Sequence, residues 1–220
     1  MAEEDPSVTI AQLQDRIKKL EEDNRRWMRL AGTNRLTNLP NSLMLYRIVL
    51  PTELRKYDGR EVSLACLLIA PDGLGEINQA HGRAVGDELI KEIAGLLKQK
   101  IGQNEQLFHP DGANFFILMM GATEGRAKRK AMEIKSEFGQ VTLTATGKEF
   151  EDLTYSVGVV VIDGIVRKDA IQEAMDQLYQ DLSDGLHEAK QRGGNTVVGV
   201  EKRSVGGEKN RSAICPLRIY

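Results

Sequence analysis

The side chains able to do chemistry are few and sit in short polar strings. His81 and His109 each lack a second ligand or a nearby nucleophile in the sequence, so neither marks an acid–base pair. Cys66, inside the apolar run SLACLLI, and Cys215 match no metal-ligand spacing and read as reduced thiols. Amides and carboxylates recur at Asn78 and Asp87 and again at Asp111 and Asn114, while Lys190 stands just before Gly193, Gly194 and Asn195. Each has an ordinary structural use: Asn78 can cap a loop, and Asp87 can sit in the first turn of a helix, where the dipole favours a negative charge. The basic stretch Arg126, Lys128, Arg129 and Lys130 falls on a predicted helix and reads as a solvated face. Met119 and Met120 end a wholly apolar run and read as core filling.

Composition limits what these strings can serve. The 220 residues hold 30 Lys and Arg against 32 Asp and Glu, a formal charge of −2. There is thus no overall electrostatic case for a nucleic-acid or membrane-surface partner, and any phosphate binding must be local. Hydrophobic residues at 41% and charged residues at 28% fit a soluble folded domain with a real core. The opening MAEEDPSVTI is acidic, and no apolar run approaches a membrane span. The expectation is a cytoplasmic protein without membrane insertion.

The elements that must position the strings follow from periodicity. Residues 1–8 read as a disordered N-terminus. Over residues 9–31, Ile10, Leu13, Ile17, Leu20, Asn24, Trp27 and Ala31 alternate steps of three and four, the a/d seam of a coiled coil. Thr9 with Gln12 reads as a capping box, and Val8 with Leu13 as a hydrophobic staple. Ile at a, Leu at d and a single Asn at a favour a parallel two-stranded homodimer, in which Arg16 could meet Glu21 of the other chain. The plainer alternative is an amphipathic helix packed on its own domain. A helix near Ser42–Tyr57 precedes a strand over Val62–Ile69, a loop, and a helix over Ala84–Lys100. A hairpin follows, Gln106–His109 and Asn114–Met120, with Pro110, Asp111 and Gly112 supplying the turn. Then come a helix over Glu124–Phe138, strands near Val141–Ala145 and Thr154–Ile162, a helix over Lys168–Arg192 and a strand over Thr196–Val200. The fold class is an α/β sandwich with a mixed central sheet over residues 32–200, preceded by the N-terminal coiled-coil helix. Residues 201–220 read as a flexible tail whose apolar end, Ile214–Tyr220, could dock on a signalling protein partner.

Five strings occur in order: Leu36-Thr37-Asn38-Leu39-Pro40-Asn41, Ile77-Asn78-Gln79-Ala80-His81-Gly82, Gly86-Asp87, Thr154-Tyr155-Ser156-Val157-Gly158 and Ala189-Lys190-Gln191-Arg192-Gly193-Gly194-Asn195. Together they resemble the GGDEF domain of diguanylate cyclases, over about residues 34–200. The resemblance implies a nucleotidyl cyclase-like fold and a bacterial setting in cyclic di-GMP signalling. In that family two GTP molecules, one per subunit, are joined when a 3′-hydroxyl attacks an α-phosphate, with two divalent ions neutralising the phosphates.

Carried over residue by residue, the family's signature falls on Asp111, Gly112, Ala113, Asn114 and Phe115, so that its metal-binding acid is Ala113. The other metal-ligand Asp, aligned through Ile77 and Asn78, falls on Ala70, and the second Asp of that stretch on Asp72. The phosphate-contacting Lys and Arg fall on Gly75 and Gly194, which leaves Lys190 of the cationic set. The guanine-reading residues fall on Asn78 and Asp87. The inhibitory Arg-x-x-Asp site corresponds to Gly102-Gln103-Asn104-Glu105 and has no Arg, so product binding there is not expected; His109 stands where the family has an Arg.

The expectation is therefore a catalytically inactive, degenerate GGDEF domain with no metal and no cofactor, a pseudoenzyme working as a dimeric interaction module. An alternative is a receptor that binds GTP or cyclic di-GMP through a vestigial site of Asn78, Asp87 and Lys190 without turnover. A third is an active cyclase with Asp72 and Asp111 as substitute ligands.

Overall fold

The run Glu61–Pro71 sets the architecture, because from Leu64 onward every residue is buried and the strand must be covered on both faces. In the computed structural model, which describes residues 6–203 and 218–219, this run is β1. The chain divides into two compact units, Met1–Thr33 and Asn34–Tyr220.

The first unit is helix α1, Pro6–Ala31. It starts upstream of Thr9, so Thr9 and Gln12 lie inside the helix and form no capping box; Pro6, with no N–H to satisfy, takes the first position instead. Part of the stretch expected to be disordered is thus helical, and residues 1–5 lie outside the described residues. Within this single chain Ile10, Leu13, Ile17, Leu20 and Trp27 are 56%, 58%, 56%, 56% and 68% exposed, so the seam is an open apolar stripe.

In the second unit a π-helical turn, Met44–Val49, runs into α2, Leu50–Arg55. After β1 come α3 (Leu74–His81), α4 (Arg83–Lys100), β2 (Glu105–Asp111), β3 (Asn114–Met120) and α5 (Glu124–Phe138). A small hairpin, β4 (Leu143–Ala145) and β5 (Lys148–Phe150), leads to β6 (Tyr155–Ile165), α6 (Ile171–Gln191), β7 (Val197–Arg203) and β8 (Arg218–Ile219). The main sheet runs β2-β3-β1-β6-β7-β8, with β6 and β7 parallel and every other neighbour antiparallel. β1 feeds both cores by alternation. Ala65, Leu67 and Ile69 face the cluster built by Leu89, Ile93 and Leu97 of α4 with Ala127, Ala131 and Ile134 of α5. Leu64, Cys66, Leu68 and Ala70 face Leu45, Leu50 and Leu54 with Met175, Leu178 and Leu182 of α6.

Several expectations need correcting. The segment read as a loop after β1 contains α3; Gly73 and Gly75 mask its pattern, and Gly73 at φ +70° is its left-handed entry residue. The hairpin turn is Gly112–Ala113, because Asp111 pairs directly with Asn114, and Pro110 belongs to β2, where the register shifts between Phe108 and Asp111. A bulge on an edge strand is where a proline is tolerated. The strand pair β4–β5 stands apart as a second sheet. The tail expected to be flexible begins with the last residues of β7, and Arg218–Ile219 pairs antiparallel with Val198 and Gly199. Most of the proposed docking peptide, Ile214–Leu217 and Tyr220, and Cys215 lie outside the described residues.

One buried imidazole fastens the loop over residues 34–40 to the signature hairpin. His109 is 1% exposed and stacks on Phe115, with centroids 4.7 Å apart and planes at 22°. Its Nε2 lies 2.9 Å from the Gly112 carbonyl, which can only accept, so Nε2 carries the proton. Nδ1 therefore accepts from the Thr37 hydroxyl at 2.9 Å, and the backbone N–H of His109 donates to the Pro40 carbonyl at 2.8 Å. Burial holds this imidazole below its ordinary value of 6.5, against the opposing pull of the Gly112 carbonyl and Asp111. A base with a depressed folded pKa is protonated first in the unfolded chain. Its contribution to stability is thus complete above pH 6.5 and is lost as pH falls toward the lower folded value. Replacing His109 by Phe keeps a stacking ring but orphans Thr37 and Gly112, with an expected loss of about 1–3 kcal/mol at pH 8. Urea unfolding of both proteins at pH 8 and pH 5.5 should show the difference between them shrinking at the lower pH.

Candidate functional site

The positions that the resemblance assigns to metal lie at the C-terminal end of β1 and in the hairpin of β2 and β3. Ile69 pairs with Phe115, the last pair of the β1–β3 register, so Ala70 follows it directly on one strand and Ala113 lies two residues before it on the other. Ala70 is fully buried and packs with the core on the α6 side, while Ala113 is half-buried against the other core. The two positions that the resemblance assigns to metal carboxylates thus both carry methyl groups. A magnesium ion demands carboxylate oxygens with near-octahedral geometry, and this donor set does not fit it. Among the described residues no three His, Cys, Asp or Glu side chains come together as a metal site.

The nearest carboxylate, Asp72, is already spoken for by hydrogen bonds. Its Oδ2 accepts from the Thr154 hydroxyl at 2.8 Å and from the Asn195 N–H at 2.8 Å, and Oδ1 accepts from the Ser156 hydroxyl at 2.7 Å. Its own N–H donates to the Thr154 carbonyl at 2.9 Å. Gly194 makes room for this arrangement: a Cβ there would lie 2.9 Å from the Asp72 carboxylate carbon, and its φ of +76° is left-handed. The other sequence-level substitute, Asp111, is exposed and accepts from the Asn114 side-chain amide at 3.2 Å.

Asn78 and Asp87, which the resemblance assigns to the guanine base, lie on two successive helices. Asn78 lies inside α3 rather than capping a loop, and Asp87 lies one turn into α4, which starts at Arg83. The side-chain oxygen of Asn78 is buried with no hydrogen-bond partner in the protein, and it rests against Gly86, where a Cβ would meet it at 2.0 Å. A glycine at 86 is thus required for the amide to sit there. Lys190 is exposed in the last turn of α6. His81 packs edge-on to Phe150 at 5.5 Å and lies 3.2 Å from the Lys148 ammonium.

The stretch corresponding to the inhibitory site is occupied from within. Glu105 is 8% exposed and pairs with Lys130 at 2.9 Å and Arg126 at 3.1 Å, both on one face of α5, and accepts from the Gly102 N–H at 3.0 Å. Burial works against its charge, but Gly102, Lys130 and Arg126 outweigh it and hold the carboxyl below the ordinary range. The basic stretch read as a solvated face therefore turns two of its cations inward. Sequence reasoning missed this pairing, the Asp72 lock and the His109 fastening; the one local hint was the hydroxyl pair Thr154-x-Ser156.

Comparison with known proteins agrees with this fold. Residues 31–196 match the family described as diguanylate cyclase, GGDEF domain. Diguanylate cyclase DosC of Escherichia coli is 26% identical over 189 residues, which is 86% of this chain but 39% of that protein. An uncharacterized membrane protein of Staphylococcus epidermidis is 27% identical over 143 residues, 65% of this chain and 39% of its own length. The chain thus spans about two fifths of the curated relatives it matches. Among solved structures, the coiled coil and GGDEF domain of DgcB from Caulobacter crescentus in complex with c-di-GMP superimposes with a TM-score of 0.67 at 19% identity, over 88% of this chain and 98% of that one. Diguanylate cyclase SiaD in complex with its activator SiaC from Pseudomonas aeruginosa gives 0.64 at 21% identity, over 87% and 70%. The matched span covers the whole ordered run of strings, the mixed sheet and the signature hairpin, and this chain belongs to the GGDEF domain family of diguanylate cyclases.

Proposed function

We propose that this chain is a catalytically inactive GGDEF domain that acts as a dimeric, protein-binding module in cyclic di-GMP signalling. The observation that carries the reading is alanine at both position 70 and position 113, where the resemblance places the metal carboxylates, with the neighbouring Asp72 already held by three hydrogen bonds. The loss extends to charge, since Gly75 and Gly194 stand where the family places its phosphate-contacting cations. A cytoplasmic location goes with this reading; among the described residues no helix is long and apolar enough to cross a membrane. The partner is a signalling protein.

A second reading draws on Asn78. Its buried oxygen without a protein partner, beside Gly86, is an acceptor of the kind that a guanine edge satisfies, and Asp87 and Lys190 would complete a receptor that binds GTP or cyclic di-GMP without turnover. Leaving the triphosphate without metal or matching cations weighs against strong binding.

The dimer rests on α1. A stripe of Ile10, Leu13, Ile17, Leu20 and Trp27, more than half exposed in one chain, is a surface that a second copy would cover, and Asn24 at a core position satisfies its amide across the pair.

Incubating the protein with GTP and Mg²⁺ should give no cyclic di-GMP by chromatography, and a metal-dependent product peak would refute inactivity. Ala70→Asp with Ala113→Glu should not restore turnover alone. Adding Gly194→Arg should cost about 1–3 kcal/mol in thermal unfolding, since it forces a side chain into a left-handed backbone against Asp72. Calorimetric titration with GTP and with cyclic di-GMP on the same sample decides the receptor reading: saturable binding that Asn78→Ala abolishes supports it. For the dimer, light scattering on the full chain should give twice the monomer mass. Leu13→Glu with Leu20→Glu should reduce that to one chain, and Asn24→Ile should tighten association while broadening its stoichiometry.

A further inference from the structure

The two edges of the main sheet are finished differently. At one end β2 carries Pro110 and a register shift between Phe108 and Asp111, both of which spoil a strand as a template for further pairing. At the other end β7 has no proline, and its outer side is met by the two residues of β8. Val198 pairs antiparallel with Ile219 and Gly199 with Arg218, while Val197 and positions 200–203 have no strand partner on that side among the described residues. The backbone N–H and C=O groups of that side are a ladder that a longer strand could complete.

Strand β7 is held in place independently of β8. Val197–Val200 pair in parallel with Val157–Val160 of β6, and Val197 and Val198 are fully buried. Helix α6 comes close over the same stretch, where a Cβ on Gly185 would meet the Val198 carbonyl oxygen at 3.5 Å. The resident strand is by contrast a weak occupant. Its ladder is two residues long, and Pro216, two residues before Arg218, has no N–H with which to carry a ladder further. A pairing this short is marginal without other support.

We propose that the outer edge of β7 is a docking site for an extended peptide segment of a partner protein, which joins the sheet as an antiparallel strand, and that β8 is the resident occupant it displaces. Main-chain hydrogen bonds along β7 supply the affinity, and a proline-free segment makes more of them than the two-residue ladder of β8. The inference gives a surface to the protein-binding reading above and rests on it, but strand addition at β7 depends neither on the loss of catalysis nor on the α1 dimer.

The probe is a labelled synthetic peptide of residues 213–220 with Cys215→Ser and Pro216→Val, which contains the Arg218–Ile219 pair and no proline. Consecutive antiparallel pairs alternate between hydrogen-bonded and open, so Arg218→Pro with Ile219→Pro in the full chain removes a ladder donor whichever pair carries it. Fluorescence anisotropy should show saturable peptide binding to this double variant below about 1 mM. Binding should be about tenfold tighter than to the unaltered chain, whose own strand occupies the edge. A peptide carrying the same two prolines should not bind. Hydrogen exchange gives the location: whichever of the Val198 and Gly199 amides faces β8 should lose protection in the double variant and regain it with saturating peptide. Equal affinity for the two proteins, no saturable binding to the double variant, binding that leaves that amide unprotected, or a double variant that no longer folds would each overturn the proposal. Such a failure leaves protein binding to another surface, whereas a cyclic di-GMP product would overturn inactivity and leave this site standing.

Discussion

Three hydrogen bonds to one carboxylate join the end of β1, the start of β6 and the loop that leads into β7. Strands β1 and β6 are the centre of the sheet, and their pairing runs without interruption from Glu61–Ile165 to Pro71–Tyr155, so this point fixes the edge of the core where the family has its chemistry. A charged group receiving two hydroxyls and a backbone N–H is held more firmly than a neutral one. With Asp72 held in this way, the backbone around Gly194 must pass close by, and no side chain fits there. The glycine at 194 and the engaged carboxylate at 72 are thus two sides of one geometry.

The same logic links the two alanines. A carboxylate at 70 would have to sit beside Ser156, its partner across β1 and β6, and within reach of the Asp72 charge, in a strand buried on both faces. Without a divalent cation between them, two such charges repel and each is penalised by burial. A methyl group removes that conflict and lets Ala70 join the apolar cluster with Leu68 and Phe116. At the hairpin, His109 turns inward to Thr37 and Gly112 and fastens the turn as a neutral bolt.

Much of this was legible in the sequence, and the parts that were not share a cause. Helix α1, the stripe of α4 and the order of strands and helices follow from local periodicity, and the ordered strings identified the family. Local patterns fail where a partner is distant. Asp72 finds its acceptor roles 82, 84 and 123 residues away, and Glu105 finds Arg126 on α5, 21 residues on, so neither leaves a periodic trace. Strand β8 is two residues long and exists only because β7 offers an edge. Helix α3 is a different failure, in which glycines at 73 and 75 signal a break while the packing of Leu74 and Ile77 on the core overrides it.

The Asp72 lock also carries a clock. A ribosome adds about 5–20 residues per second, so the Asn195 amide that completes the lock follows Asp72 by 123 residues, about 6–25 s later. Until residues 155–165 have been made, β1 exists without its neighbour β6, and its continuous apolar run has no cover on that side. Nascent chains of this protein thus pass through a period in which a strand that will be deeply buried has been made before its cover, and the Asp72 lock is not complete until Asn195 has been added.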